Sequence, residues 1–389
     1  MKADVAFPAL LTAARALKPY TIPRGWYTAP RGWYAAGLRA LCLHTHGDTL
    51  TLTAGSRAET AQVDLPGGTA EGYCAITADT LIKVLTAIKP TGTAAKNATV
   101  TLSAEPDRLC VAVAGGPPIV LDTDTGSSPA TVAPIDAAQA VTTGPVADWC
   151  DLVSKVGWAA GRDPARPDLQ VVRLLRDFAG TTLMVEAGDR YRVHRGCWGR
   201  PDGEPVDARI PIDAAERAVK LFTACDPGAT VSVDVDNQQI WWRTDQVRLQ
   251  TRAAAQPYFN LEQLREDVCQ SVNIRFTAAR TPLLAALDTA AALAATTRHG
   301  HLGIEFTGAT ATTVDVSVYG DSGGLLHRDQ VPVTESSGPA QTLTFKPPFV
   351  RQVVAFLDGD TVQVAATTGR LGPYLSSGTR HAILMQVAA

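Results

Sequence analysis

Four groups of residues have the types and spacing to do chemistry. Gly320-Asp321-Ser322-Gly323-Gly324 matches the nucleophile signature of a serine hydrolase, in which glycines free the amides of a tight loop to bind an oxyanion beside the serine. His44 and His46 alternate on a strand-like run, so both imidazoles face one way and present two nitrogens to a metal, and His299 and His301 repeat that spacing near Gly300. Asp148 and Asp151 share one face of a helical pattern. Pro23-Arg24-Gly25-Trp26-Tyr27 and Pro30-Arg31-Gly32-Trp33-Tyr34 duplicate one another, concentrating the guanidinium groups and rings that contact phosphates and stack on bases.

Most of these have a plainer structural reading. The slot of Gly320-Asp321 is filled by Gly55-Ser56 and Gly188-Asp189 elsewhere, so its glycine serves a turn between strands and Ser322 is the lesser reading. No third carboxylate or cysteine converges on either histidine pair, so no metal and no cofactor is expected. The acids at 148 and 151 read as a solvated helix face. The tryptophans and tyrosines of residues 23–34 either stack on bases or close over a core. The arginines favour phosphate, because Arg162 and Arg166, then Arg298 with His299, recur after the corresponding later helices.

An internal repeat positions all of these. A strand ending in small-Gly-polar occurs at Gly55, Gly188 and Gly320, spaced almost evenly at close to a third of the chain length. A helix followed by Thr-Val and alternation occurs at Thr99, Thr230 and Thr361, with the same interval from each to the next. Two independent markers with nearly one period predict three α+β domains of one topology, 1–130, 131–266 and 267–389. Linkers are expected near Thr123 to Asp136, rich in Ser, Gly and Pro, and near Gln256 to Asp267, after Pro257.

The second helix of each domain is expected over 77–89, 212–225 and 347–357. Leu81, Val84, Leu85 and Ile88 form one stripe with Lys83 opposite, Thr77 as the cap and Pro90 as the stop. Val350, Val353, Val354 and Leu357 form another with Arg351 outward, and Lys220 takes that outward position in the middle helix. The first helix reads from Phe7, Leu10, Leu11, Ala14 and Leu17, with Arg15 and Lys18 outward.

Composition excludes several classes. The 389 residues exceed a single core, and no apolar run approaches the span of a bilayer. Pro8 and Arg15 interrupt the apolar stretch that a signal peptide needs, so a cytoplasmic protein is expected. A net charge of -3 excludes an overall basic nucleic-acid binder but not one with its cations on one face. Seven scattered cysteines without a Cys-x-x-Cys pair read as buried thiols.

Across essentially its whole length the chain resembles the beta sliding clamp family of bacterial DNA polymerase III, as a divergent, actinobacterial or phage-like member. The family's Ala-Thr-Asp-Gly-Tyr/His-Arg-Leu appears as Ala187-Gly188-Asp189-Arg190-Tyr191-Arg192-Val193, after Arg173-Leu174-Leu175-Arg176-Asp177-Phe178-Ala179-Gly180. Phe345-Lys346-Pro347-Pro348-Phe349-Val350 leads to Leu357-Asp358-Gly359-Asp360-Thr361-Val362, and Ala382-Ile383-Leu384-Met385-Gln386-Val387-Ala388-Ala389 echoes the family's ending.

The resemblance implies a non-enzymatic processivity factor, three clamp domains forming half of a closed ring with helices inside and antiparallel sheets outside. Two copies would close head to tail on duplex DNA of any sequence. It implies DNA contacts from Arg15, Lys83, Lys220 and Arg351 on helices and Arg24, Arg31, Arg162 and Arg298 on loops. It also implies a pocket for short peptides with Gln and Leu/Phe anchors, from the polymerase alpha subunit, the clamp loader and other clamp-binding proteins. The walls would be Val171, Leu174, Tyr191, Arg192, Val193 and Pro257, with Ile383, Met385 and Val387. A resistance or phage-encoded paralogue with other partners is the alternative reading. Arg190 stands where the family has Gly, Gln386 replaces its Pro, and Ala388-Ala389 replaces a basic-hydrophobic end. Pro117-Pro118 is expected to interrupt the edge strand at the dimer seam, implying weak closure or a shifted register.

Overall fold

The alternation and the helical stripes produce one element order three times. The computed structural model describes residues 1–21, 40–55, 58–88, 90, 97–113, 116–123, 141–176, 182–199, 205–236, 238–259, 261–298, 301–367 and 372–386. The first repeat is a strand, Lys2–Ala6, helix α1, Phe7–Leu17, strands from Ala40–His46 to Gly72–Thr77, helix α2, Ala78–Ala87, and strands Thr99–Glu105, Arg108–Val113 and Ile119–Asp122. The second begins at Thr142–Pro145, continues through α3, Val146–Gly157, and α4, Ile212–Phe222, and ends at Val247–Arg252. After helix α5, Leu261–Gln270, the third begins at Ile274–Ala279, contains α6, Arg280–Ala294, and α7, Pro347–Phe356, and ends at Arg380–Leu384.

Local chemistry accounts for the helix ends. The Thr77 hydroxyl accepts a hydrogen bond from the Thr80 amide and caps α2. Prolines occupy the first turns of α1 and α7, where a missing N–H costs no intrahelical bond. Leu81 and Leu85 of α2, and Val350, Val353 and Val354 of α7, are buried, whereas Lys83 and Arg351 are exposed. The recurring turn glycine has a steric cause. A Cβ at Gly55 would lie 2.8 Å from the Glu59 carbonyl, and one at Gly188 would lie 2.9 Å from the Phe259 ring.

The chain forms two compact units, Met1–Cys150 with Gly199–Ala253, and Asp151–Trp198 with Ala254–Ala389. In the first, one antiparallel sheet runs Thr142–Pro145, Thr230–Asp236, Gln239–Arg243, Val247–Arg252, Glu59–Pro66, Thr49–Gly55, Ala40–His46 and Gly72–Thr77. A second runs Gly68–Ala70, Lys2–Ala6, Thr99–Glu105, Arg108–Val113 and, at its edge, Ile119–Asp122. In the second unit a continuous sheet contains the pair Arg192–Trp198 and Arg380–Leu384 as interior strands.

Successive repeats therefore join edge to edge within a unit. Val247–Arg252 pairs antiparallel with Glu59–Pro66, and Arg380–Leu384 pairs antiparallel with Arg192–Trp198. The junction strands on one side are thus Glu59–Pro66 and Arg192–Trp198, and one repeat further along the chain stands their equivalent, Leu325–Ser337. Over residues 325–331 that strand pairs only with Thr313–Tyr319 among the described residues. Ile119–Asp122, which ends the first repeat, likewise has one free edge among the described residues.

Four expectations change. The stretch Gln256 to Asp267, read as a linker, becomes helical at Leu261, because Leu261, Leu264 and Val268 make an apolar stripe at i, i+3 and i+7. Pro117-Pro118 lies just before the edge strand, which starts at Ile119, so the prolines remove no donor from it. Asp151, with its side chain 42% exposed, does more than face solvent, since its carboxylate binds Lys155 at 2.8 Å and Arg380 at 2.6 Å. Cys269 on α5 is exposed rather than buried. The other expected linker lies almost wholly outside the described residues. Gly320 to Gly324 is the turn between Thr313–Tyr319 and Leu325–Ser337, where the Gly320 amide donates to the Gly324 carbonyl and the Asp321 carboxylate accepts from the Arg298 amide.

Candidate functional site

Most of the expected pocket residues meet where Arg192–Trp198 pairs with Arg380–Leu384. Val193 stands opposite Ile383, and the Met385 amide donates to the Tyr191 carbonyl at 2.6 Å. The turn before them is built by Asp189, whose carboxylate accepts from the amides of Tyr191 at 2.7 Å and Arg192 at 2.9 Å. Alternation then sends Val193 and Arg195 to one face and Arg192 and His194 to the other.

On the first face lies a small recess. Val193 and Ile383 pack against Leu261 and Val268 of α5, with Tyr258, Phe259, Leu264 and Tyr374 around them. Between Arg195, Arg265, His381 and these apolar groups there is room for about one water molecule. The charges form an alternating chain. Glu186, fully buried, binds Arg173 at 3.1 Å and Arg195 at 2.8 Å, Arg195 reaches Glu262 at 2.9 Å, and Glu262 binds Arg265 at 2.5 Å. Burial, then Arg195 and Arg265, hold the His381 imidazole below its ordinary pKa, and its Nδ1 lies 2.7 Å from the Tyr374 hydroxyl.

On the other face is a larger cleft, with about 1100 Å³ of space against about 250 Å³ for the recess, reached by Trp158, Arg162, Arg166, Arg190, Tyr191, Arg192, Phe349 and Gln352. The Arg192 guanidinium lies 4.5 Å from the Phe349 ring centroid and donates to the Trp158 carbonyl and to Gln352. Tyr191 packs at 5.6 Å on Phe349, and the Lys346 ammonium sits 4.3 Å above Tyr191. Behind Arg192, His194 is fully buried, stacked at 4.4 Å on Phe356, with Nδ1 2.9 Å from the Lys155 carbonyl. Burial pushes its pKa down to about 3, so the imidazole is neutral.

The other expected site residues fall elsewhere. Val171 and Leu174 are buried on the strand Val171–Arg176, two strands from the recess, where Leu174 faces Val185. Pro257 is exposed beside Tyr258, and Val387 lies outside the described residues. Arg15, Lys83, Lys220 and Arg351 are exposed on α1, α2, α4 and α7, and Arg162 and Arg298 on connecting segments. Arg351 ion-pairs with Asp288 of α6. Arg24, Arg31 and the whole duplicated Trp/Tyr segment lie outside the described residues. His44 and His46 are exposed, and His46 lies 3.5 Å from Glu71, but no group of three metal-ligating side chains occurs among the described residues.

Sequence reading missed α5, Trp158, Tyr374 and His381, and gave Lys346 and Phe349 no role. The Leu261-Leu264-Val268 stripe was the one visible signal for the first of these.

No family model matches the sequence, and no curated protein is similar to it. The structure is similar to the DNA polymerase sliding clamp from Bacillus subtilis, with a TM-score of 0.82 and 15% identity over 100% of this chain and 99% of that one. It is also similar to the beta subunit of the DNA polymerase of Streptococcus pyogenes (TM-score 0.81, 14% identity) and to DNA polymerase III subunit beta from Pseudomonas aeruginosa (TM-score 0.80, 14% identity), each over 100% of both chains. The chain has the sliding-clamp fold of these DNA polymerase III beta subunits, three α+β repeats of antiparallel sheets and helices.

Proposed function

We propose that this chain is a sliding clamp for a replicative DNA polymerase, acting in the cytoplasm as a non-enzymatic ring of two copies joined head to tail around duplex DNA. The observation that carries the reading is the unmade third junction. Two of the three repeat-to-repeat strand pairings form within the chain, and the strands for the third, Ile119–Asp122 and residues 325–331 of Leu325–Ser337, have a free edge among the described residues. Val120, at 55% exposure, and Leu325 and Leu326, each at 50%, lie on those edges. A second copy supplies the missing partner at both, which closes the assembly by twofold symmetry. The three domains run 1–130, 131–266 and 267–389 in this reading, with α5 lying across the second boundary.

Arg15, Lys83, Lys220 and Arg351 then meet phosphate. Asp79, Asp213, Glu216 and Asp288 sit on the same helices or their neighbours, so the attraction is weak and sequence-independent, which permits sliding. Peptides of the polymerase alpha subunit and the clamp loader dock at Tyr191, Arg192, Val193, Ile383 and Met385. A resistance or phage-encoded paralogue with altered partners is the alternative. Light scattering tests the ring. A particle of twice the chain mass is expected, and Leu326→Glu should bring it down to the 41.0 kDa of one chain with the circular dichroism unchanged. A wild-type protein that stays at the single-chain mass at micromolar concentration would overturn the reading.

A further inference from the structure

We propose that the peptides docked by this chain carry acidic side chains next to their apolar anchors, and that Lys346 is the residue that selects them. The inference rests on the peptide-docking reading and specifies its partner. Cations outnumber carboxylates around the larger cleft. Arg190 faces Asp163 at 3.7 Å, Arg166 binds Asp168 at 2.7 Å, and Arg192 faces Asp189 at 3.4 Å. Lys346 has no carboxylate partner among the described residues. Its exposed ammonium instead rests 4.3 Å from the Tyr191 ring and 5.7 Å from the Phe349 ring.

Tyr191 is also the residue whose carbonyl takes the Met385 amide, so the lysine stands at the mouth of the docking strands. An anchor seated on Tyr191 and Met385 brings its flanking residues within the sweep of a four-carbon stem. Two aromatic faces shield one side of the ammonium from water, which strengthens a carboxylate contact there relative to one on an open surface. A neutral flank forgoes that contact but suffers no clash, so the selection is graded.

Fluorescence anisotropy on the full chain tests this with two labelled, C-terminally amidated peptides, Asp-Gln-Leu-Ser-Leu-Phe-Asp and its Asn-flanked counterpart. The acidic peptide should bind roughly five-fold tighter at low salt, with the difference shrinking as salt rises. Lys346→Gln should equalise the two while leaving the neutral peptide unchanged within about two-fold, Lys346→Glu should reverse the order, and Lys346→Arg should retain it. Equal binding to the wild type, or a preference that survives Lys346→Gln, overturns the inference while leaving docking intact. Binding of neither peptide overturns the docking reading, and the inference with it. An oligothymidine that displaces the acidic peptide and loses affinity equally on Lys346→Glu assigns the surface to single-stranded nucleic acid, and overturns the proposal.

Discussion

The small recess and the larger cleft lie on opposite faces of one strand, Arg192–Trp198, and differ in how their charges are used. Beside the recess, Arg173, Glu186 and Arg195 alternate in sign with Glu262 and Arg265 of α5, and the five satisfy one another. In the cleft, the Arg190 and Asp163 pair is exposed, and Lys346 faces only rings among the described residues. The recess has the properties of a group that holds the fold, and the cleft those of a surface left for a ligand. A buried ion is stable only when its partners are already present in the chain, whereas an exposed one stays hydrated until a partner arrives.

The largest expected effect is on the recess. Glu186→Ala would remove the buried carboxylate shared by two arginines whose side chains are 17% and 12% exposed, and should lower unfolding stability by roughly 3–5 kcal/mol in a urea titration. Arg190→Ala, at the cleft, should change it by no more than about 0.5 kcal/mol, and similar losses for the two variants would erase the distinction.

Acid should act from the cleft side. His194 has a folded pKa of about 3, below its ordinary 6.5, so its contribution is fully present above pH 6.5 and is lost as the pH falls towards 3. The unfolded chain takes up the proton first, so stability should drop by about 2 kcal/mol between neutral pH and pH 5, a slope that His194→Gln should flatten. The smallest effect concerns the cover of the recess. Glu262→Gln weakens the contacts to Arg195 and Arg265, so amide exchange in α5 should quicken up to about five-fold, with the strands beneath unchanged.

Much of the architecture was legible in the sequence because it depends on short-range patterns that recur. The strands after the second helices begin at Thr99, Thr230 and Thr361, the three positions marked by Thr-Val, and the helical stripes lie where their spacing puts them. The linker reading at Gln256 to Asp267 failed because α5 is polar on most of its surface. Only three positions face inward, and Pro257 sits just upstream. Leu174 was assigned to the pocket by resemblance, yet the strand that carries it is covered, with Leu174 wholly inaccessible to solvent.

By itself, then, the sequence determined the kind of each element and its threefold recurrence, since both follow from side-chain periodicity and turn chemistry over a few residues. Tertiary structure alone decided which strand edges stay unpaired among the described residues, which arginines face a carboxylate, and that a polar helix packs over one side of Arg192–Trp198. Those outcomes depend on groups far apart in the chain, such as Arg192 and Gln352 or Asp151 and Arg380, and no local pattern encodes how such groups meet.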